Sequence, residues 1–185
     1  TGITNEFKNF PLEEFVFWIN GKAIVSPVDK PSFEVQSGDY FIQAKGFEGK
    51  WNFVDIGGLH LELILIAKNR PDSLHKSSIP HALVLDRDIL SGVKKSKEDS
   101  EIIYDGAELK VKLLRTKEIE FKSSSYERLV HVLNGVLTIN DSINQKKLVF
   151  YPGDFFVIPE GFKGSWGSNS LQDLRLLEVS KAVVK

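Results

Sequence analysis

The sequence carries two copies of one pattern, and this internal repeat constrains the fold more than any other feature. Residues 6–21 align without a gap with residues 120–135, and seven of the sixteen positions are identical. Residues 38–51 align in the same way with residues 153–166, with seven identities in fourteen positions. Glycines, an asparagine and a tryptophan recur in register, which chance similarity between apolar strands would not reproduce. We therefore expect two copies of one structural unit in tandem.

Each copy is predicted to be built from short β-strands. Residues 15–19 and 129–133 are β-branched and aromatic runs, and each ends at an Asn-Gly pair. Asn-Gly favours a type I′ hairpin turn, so return strands are expected at residues 22–26 and 136–140. Further strands are expected at residues 32–36, 40–43 and 60–67 of the first copy and at residues 147–151, 155–158 and 174–180 of the second. Short strands between regular turn signals favour a barrel or jelly roll.

The stretch between the copies is rich in prolines, serines and charges, which is typical of a linker. The predicted organisation is an N-terminal domain at residues 1–68, a linker at 69–105 and a C-terminal domain at 106–185. Residues 81–85 of the linker are compatible with a strand. Residues 107–115 are predicted to open the second copy as a strand that the first copy lacks. The N-terminal unit has therefore either lost its first strand or is completed by the linker or by another subunit.

Composition excludes several classes of protein. The 24 basic and 25 acidic side chains give a formal net charge of -1, so no nucleic-acid partner is expected. No apolar run approaches the roughly 20 residues that span a bilayer, and the first residues do not resemble a leader, so we expect a cytoplasmic protein without a membrane partner. The absence of cysteine excludes disulfides and thiol nucleophiles, and the absence of methionine predicts a processed or trimmed start.

The repeated motifs resemble those of the cupin superfamily. Residues 153–161 contain the Gly-Asp opening and the Ile-Pro-x-Gly corner of the second cupin motif, and Glu14 and Gly21 match the end of the first. The Gly-x-x-Gly-x-Trp sequences at residues 46–51 and 161–166 are similar to those of the ureidoglycine aminohydrolase-like cupin group. The resemblance implies an all-β protein with two cupin-type jelly-roll β-barrels in tandem, a bicupin. The N-terminal barrel would be the one that lacks a first strand.

The metal ligands that this resemblance implies are missing. Metal-binding cupins use two histidines and a glutamate from the first motif and a histidine from the second. The sequence has no His-x-His, and the second-motif histidine is replaced by Gly49 and Gly164. The glutamate survives as Glu14 but is replaced by Arg128 in the second copy, where its charge would repel a cation. We therefore predict no metal and no cofactor.

The histidines do not restore a ligand set. Strand alternation puts His131 and Arg128 on opposite faces, because they are an odd number of residues apart. The interpretation is a surface or interface position for all four: His60, His75, His81 and His131.

A ligand pocket is predicted inside each barrel. If the glutamate position faces inward, as in the family, the pockets contain Glu14 and Trp18 in one barrel and Arg128 in the other. The planar guanidinium of Arg128 suits a carboxylate or phosphate. The predicted ligand-binding residues are Arg128, Trp166, Glu14, Trp51, Gln43 and Trp18. Two structural alternatives remain open: Trp51 and Trp166 as core residues, and Glu14 as the ion-pair partner of Lys45 or Lys50.

Three functions are compatible with these residues. The favoured one is a metal-independent bicupin that binds a small organic anion through Arg128 and Trp166, as a sensor or accessory protein. The second, which the resemblance implies, is a hydrolase or isomerase of a small nitrogenous or sugar-like metabolite. Its acid or base would come from Glu14, or from Glu127, Tyr126 or His131, so the catalytic residues are undetermined. The third is a pair of degenerate barrels that serve assembly; a homodimer is expected.

Overall fold

A computed structural model describes residues 2–54, 59–64, 83–91, 99–115, 118–168 and 173–181, with residues 59–64 and 83–84 described by their backbone alone. The chain divides into two compact units. Unit 1 comprises Thr1–Arg87 with Gly106–Leu109, and unit 2 comprises Asp88–Asp105 with Lys110–Lys185. Nearly all regular structure in the described ranges is antiparallel β-sheet, as the sequence predicts.

Unit 1 contains two four-stranded sheets. Its strands are β1 (Thr4–Phe7), β2 (Glu14–Asn20), β3 (Lys22–Pro27), β4 (Phe33–Gln36), β5 (Tyr40–Gln43), β6 (Gly49–Phe53), β7 (Leu59–Ile64) and β8 (Leu83–Val84). One sheet has the strand order β1-β6-β3-β4 and the other has the order β7-β2-β5-β8.

Unit 2 opens with the five-residue helix α1 (Arg87–Ser91), whose first residue still belongs to unit 1. The strands that follow are β9 (Ser100–Asp105), β10 (Leu109–Leu114), β11 (Glu118–Phe121), β12 (Arg128–Asn134), β13 (Leu137–Asp141), β14 (Lys146–Phe150), β15 (Phe155–Ile158), β16 (Gly164–Gly167) and β17 (Arg175–Lys181). They form sheets of order β11-β16-β13-β14 and β15-β12-β17-β10-β9. The first of these repeats the order of the β1 sheet, and β15-β12-β17 repeats β5-β2-β7.

The two sheets of each unit pack through apolar side chains that alternate along the strands. In unit 1 the core joins β2 and β5 of one sheet to β3, β4 and β6 of the other. In unit 2 the core joins β10, β12, β15 and β17 to β11, β13 and β16. Each unit is therefore a jelly-roll sandwich of two sheets, and the predicted closed barrels are not observed.

The predicted Asn-Gly hairpins are wrong, although the strands on either side of them are present. β2 pairs with β5 and β7, whereas β3 pairs with β4 and β6, so Asn20-Gly21 joins strands of different sheets. Only the glycines have positive φ, 79° at Gly21 and 82° at Gly135, whereas a type I′ turn needs it at both central residues. The Asn-Gly pair is a corner at which the chain passes from one sheet to the other, because the strand that follows it buries its apolar side chains as part of the second sheet.

Parts of the predicted linker form strands. β8 adds to the open side of β5, where the amide of Leu85 also donates to the carbonyl of Tyr40 at 2.9 Å. β9 pairs with β10 in unit 2, with a bulge after Val111. The linker residues between 65 and 82 and between 92 and 98 lie outside the described ranges. Among the described residues, no helix has the length and apolar character to cross a membrane.

Candidate functional site

Arg128 lies inside unit 2, at the start of β12. Its side chain shares the inner face of the strand with Val130 and Val132, which are fully buried in the core cluster. Only 9% of Arg128 is exposed. A buried guanidinium needs hydrogen-bonded or charged neighbours, because loss of water around the charge is costly.

Glu178 and Lys112 complete a charged cluster around Arg128, in which Arg128 and Glu178 are buried and Lys112 is partly exposed. Glu178 lies opposite Val130 in the β12–β17 pairing, so it shares the inner face, and its Oε2 accepts a hydrogen bond from Nη1 of Arg128 at 2.9 Å. The Nζ of Lys112 lies 3.7 Å from the other carboxylate oxygen. Nη2 of Arg128 donates to the hydroxyl of Ser124 at 3.2 Å. The cluster thus contains two cations and one carboxylate.

Aromatic rings surround the guanidinium of Arg128. Its central carbon lies 4.3 Å from the ring centre of Tyr126 and 5.2 Å from that of Phe121. Phe121 in turn meets Trp166 edge to face, with the ring centres 5.2 Å apart. Trp166 is 1% exposed and belongs to the core of unit 2. Cation–π contacts of this kind hold a guanidinium in a fixed position while leaving its N–H edge available.

The corresponding region of unit 1 is different in chemistry. Glu14 and Gln43 face each other in the β2–β5 pairing, and both are buried. The amide Nε2 of Gln43 donates to Oε2 of Glu14 at 3.3 Å. Trp18 and Trp51 pack with each other and with Phe41, with ring centres 6.4 Å and 5.1 Å apart respectively. The four predicted site residues thus form two pairs, Glu14 with Gln43 and Trp18 with Trp51, and the two tryptophans are core residues.

The repeat makes the two interiors directly comparable. Where unit 1 has Trp18, the aligned residue of unit 2 is Val132, and where unit 1 has Phe10, unit 2 has Ser124. Phe10 packs against the core of unit 1, whereas Ser124 holds Arg128. At these two positions unit 1 therefore has aromatic rings where unit 2 has smaller side chains.

The glycines at the metal-histidine positions cannot be replaced by histidine without moving the backbone. A Cβ at Gly49 would overlap the carbonyl oxygen of Ser26 and lie 2.7 Å from the Phe47 ring. A Cβ at Gly164 would overlap the carbonyl oxygen of Asn140 and lie 2.8 Å from the Phe162 ring.

Arg128 occupies the glutamate position in unit 2, and in the described ranges no three histidine, aspartate or glutamate residues converge. The residues present do not fit the metal that the resemblance implies.

His131 is on the other face of β12 from Arg128. It is 7% exposed and stacks on Phe155 with ring centres 3.8 Å apart. Burial lowers its pKa to about 4, against an opposing effect of a backbone hydrogen bond at Gly153 and of the Asp154 charge. The ring is neutral at pH 7 and outside the charged cluster. The predicted surface or interface position is therefore wrong for His131, which is buried within the chain. The side chain of His60, and all of His75 and His81, lie outside what the structure describes.

The sequence prediction missed the role of Glu13. This residue is fully buried, and its carboxylate accepts hydrogen bonds from the backbone amides of Ala107, Glu108 and Leu109 at 3.0, 2.8 and 2.9 Å. The carboxylate of Glu108 accepts the amide of Glu13 in return and lies 3.9 Å from Lys45. Glu13 therefore anchors Gly106–Leu109 to unit 1. The available signal was the position of Glu13 next to the inward-facing Glu14. The sequence could not indicate the partners of Glu13, because they are more than 90 positions away.

The recurring Gly-Asp pairs are explained by turns. Asp39 accepts the amide of Gln36 at 2.9 Å, and Asp154 accepts the amide of Tyr151 at 2.7 Å. Asp39 also forms an ion pair with Arg87. These aspartates stabilise the entries to β5 and β15, so their recurrence reflects structure rather than chemistry.

The comparisons with known proteins agree with the architecture. Residues 120–171, which include Arg128 and Trp166, match the family model described as EutQ-like cupin domain. The fold is that of a cupin. The match covers the part of unit 2 that contains the second copies of both repeat blocks. No curated protein resembles the sequence at a significant level.

Solved structures resemble nearly the whole chain. A cupin 2 conserved barrel domain protein from Leptotrichia buccalis superposes with a TM-score of 0.67 at 13% identity, over 98% of this chain and 79% of that one. Protein Ylba from E. coli gives 0.60 at 10% identity, over 100% and 74%. AerE from Microcystis aeruginosa gives 0.59 at 13% identity, over 97% and 82%. At such identities the likeness is one of fold alone.

Proposed function

We propose that this protein is a bicupin whose second unit binds a small organic anion without a metal, as a sensor or accessory protein. The observation that carries the proposal is the cluster of the buried Arg128 and Glu178 with the partly exposed Lys112, in which two cations share one carboxylate. One positive charge within this cluster is uncompensated, and an anionic ligand would neutralise it.

The bicupin arrangement is supported by the repeat. Aligned residues of the two copies occupy equivalent strands, and the strand orders β5-β2-β7 and β15-β12-β17 correspond. The bulge between Trp18 and Asn20 recurs between Val132 and Asn134. We propose that the protein is related to the ureidoglycine aminohydrolase-like cupin group, whose Gly-x-x-Gly-x-Trp sequence both copies contain.

The two units have different roles in this proposal. Trp166 would line the ligand site of unit 2, since it touches Phe121 beside Arg128. In unit 1, Trp18 and Trp51 fill the interior, and the Gln43 amide is bonded to Glu14. Unit 1 would therefore be mainly structural, and the predicted homodimer remains a prediction.

The test is calorimetric titration with small mono-, di- and hydroxy-carboxylates and inorganic phosphate. Binding to the wild type is expected, with loss of at least about tenfold in affinity for Arg128→Lys, which keeps the charge but loses the planar fork. Lys112→Ala should weaken binding as well. Arg87→Lys is the matched control, because that arginine is paired with Asp39 in unit 1.

Arg128→Ala leaves Glu178 buried without its partner, so a folding defect would obscure the result. The double variant Arg128→Leu with Glu178→Leu removes both charges and is expected to fold and to lose anion binding. Unchanged affinity in folded Arg128→Lys and in the double variant would refute the proposal, as would the absence of binding to every anion in the panel.

A further inference from the structure

Five buried polar atoms in the side chains of unit 2 have no hydrogen-bond partner among the described residues, and three of them belong to Arg128, its partner Glu178 and Trp166. These three atoms are Nε of Arg128, Oε1 of Glu178 and Nε1 of Trp166. The side chains that carry them are at least nine-tenths buried. Lys112 Nζ is 3.7 Å from Oε1 of Glu178, which is beyond hydrogen-bonding distance. Buried polar atoms are almost always paired, so each of these atoms indicates a missing partner.

These atoms differ in what they require. Nε of Arg128 and Nε1 of Trp166 are donors without acceptor capacity, and each needs an oxygen or another acceptor. Oε1 of the ionised Glu178 can only accept, so it needs an O–H or N–H group. Arg128 and Glu178 are joined by the 2.9 Å bond between Nη1 and Oε2, so the free donor and the free acceptor belong to adjacent groups. A ligand that satisfies both must present an acceptor to Arg128 and a donor to Glu178.

We propose that the anion bound in unit 2 is a small carboxylate that also carries a hydroxyl or amino group. The carboxylate accepts from Nε of Arg128, and the hydroxyl or amino hydrogen is donated to Oε1 of Glu178. A second acceptor on the ligand, such as a further carboxylate, suits Nε1 of Trp166. This inference rests on the proposed function and specifies the class of anion.

Glu178 then acts as the specificity-determining residue. A simple carboxylate leaves Oε1 without a donor and adds a negative charge near it, so the site discriminates against that ligand. A hydroxy- or amino-carboxylate supplies the donor. At the aligned positions unit 2 has the smaller residues Val132 and Ser124 in place of Trp18 and Phe10 of unit 1.

The probes are matched pairs that differ by one hydroxyl: malate against succinate, and lactate against propionate. Calorimetric titration of the wild type is expected to show at least about tenfold tighter binding of the hydroxylated member of the pair that fits. Glu178→Ala should abolish the preference for the hydroxyl. The variant should bind the simple carboxylate more tightly than the wild type does. Glu178→Gln, which keeps size and an acceptor oxygen, serves if Glu178→Ala does not fold. It should also relieve the charge repulsion and bind the simple carboxylate more tightly. Glu160→Ala, at an exposed position, is the control and should leave both affinities unchanged.

The outcomes separate this inference from the proposed function. If both members of each pair bind equally and Arg128→Lys weakens both, the anion site stands and the hydroxy- or amino-carboxylate class is refuted. If no member binds, the hydroxy- or amino-carboxylate class is refuted, and the anion site is refuted with it if phosphate and the other anions of the panel also fail to bind. A preference for the hydroxyl that survives Glu178→Ala would also overturn the role of Glu178.

Discussion

Removal of the Glu13 carboxylate should destabilise unit 1 more than any single surface contact could. In Glu13→Ala three backbone amides, those of Ala107, Glu108 and Leu109, lose their acceptor. The first two are only partly buried and can regain a water, so each loss costs about 1 kcal/mol. The amide of Leu109 is buried and stays unpaired, at about 2 kcal/mol. The expected loss is about 4 kcal/mol, a large part of the 5–15 kcal/mol typical of a domain.

The assay is urea unfolding followed by tryptophan fluorescence, with amide hydrogen exchange as a local probe. Trp18 and Trp51 are fully buried in unit 1 and report its unfolding. Exchange of the amides at residues 107–109 should accelerate strongly in Glu13→Ala. Glu13→Gln keeps one acceptor oxygen and should lose about half as much stability. Glu160→Gln, at an exposed position, should change stability by less than about 0.5 kcal/mol. A loss below about 1 kcal/mol in Glu13→Ala, or unchanged exchange at residues 107–109, would refute the anchoring role.

Two further predictions concern positions whose roles follow from packing. Gly164→Ala should lower the free energy of unfolding by about 2 kcal/mol or more, because the added Cβ meets the Asn140 carbonyl and the Phe162 ring. Gly164→His should bind no stoichiometric Zn²⁺ by metal analysis. Wild-type stability or bound zinc would contradict this reading. The pKa of His131 is lowered to about 4 from 6.5, so the unfolded chain holds the extra proton between these values. Stability should therefore fall as the pH drops from about 6.5 to 4, and His131→Phe should remove this component from urea midpoints measured across that range. A His131 titration near 6.5 by NMR would contradict it.

The glycines at the expected metal-histidine positions do more than omit a ligand. At Gly49 and Gly164 the backbone passes so close to a neighbouring strand that no side chain fits. In unit 2 the guanidinium of Arg128 takes the place of the metal-binding carboxylate and brings its own counter-ion, Glu178. A substitution that restored one histidine would therefore have to move a strand as well as add a ligand.

Local sequence patterns predicted the strands well because each needs only neighbouring residues. β5 and β15 begin and end where the alternation and turn residues placed them, and the fold is the all-β jelly roll expected. The Asn-Gly turns were predicted incorrectly because pairing is decided by burial. The strand after Gly21 buries its apolar face in the opposite sheet, a choice that no local turn signal contains.

The candidate site was likewise predictable from the sequence only in part. Alternation along β12 was sufficient to place Arg128 with Val130 and Val132, and away from His131. The partner of Arg128 was not predictable, because Glu178 is 50 positions away and reaches it only through the β12–β17 pairing.

By itself, the sequence determined the repeat, the strand content, the inward positions and the absence of histidine ligands, all of which follow from residue type and short-range periodicity. The tertiary structure alone decided which charges meet, which amides Glu13 anchors and which interior is filled with aromatic rings. Those outcomes depend on contacts between distant segments, and their energies are set by burial that exists only after the sheets have packed.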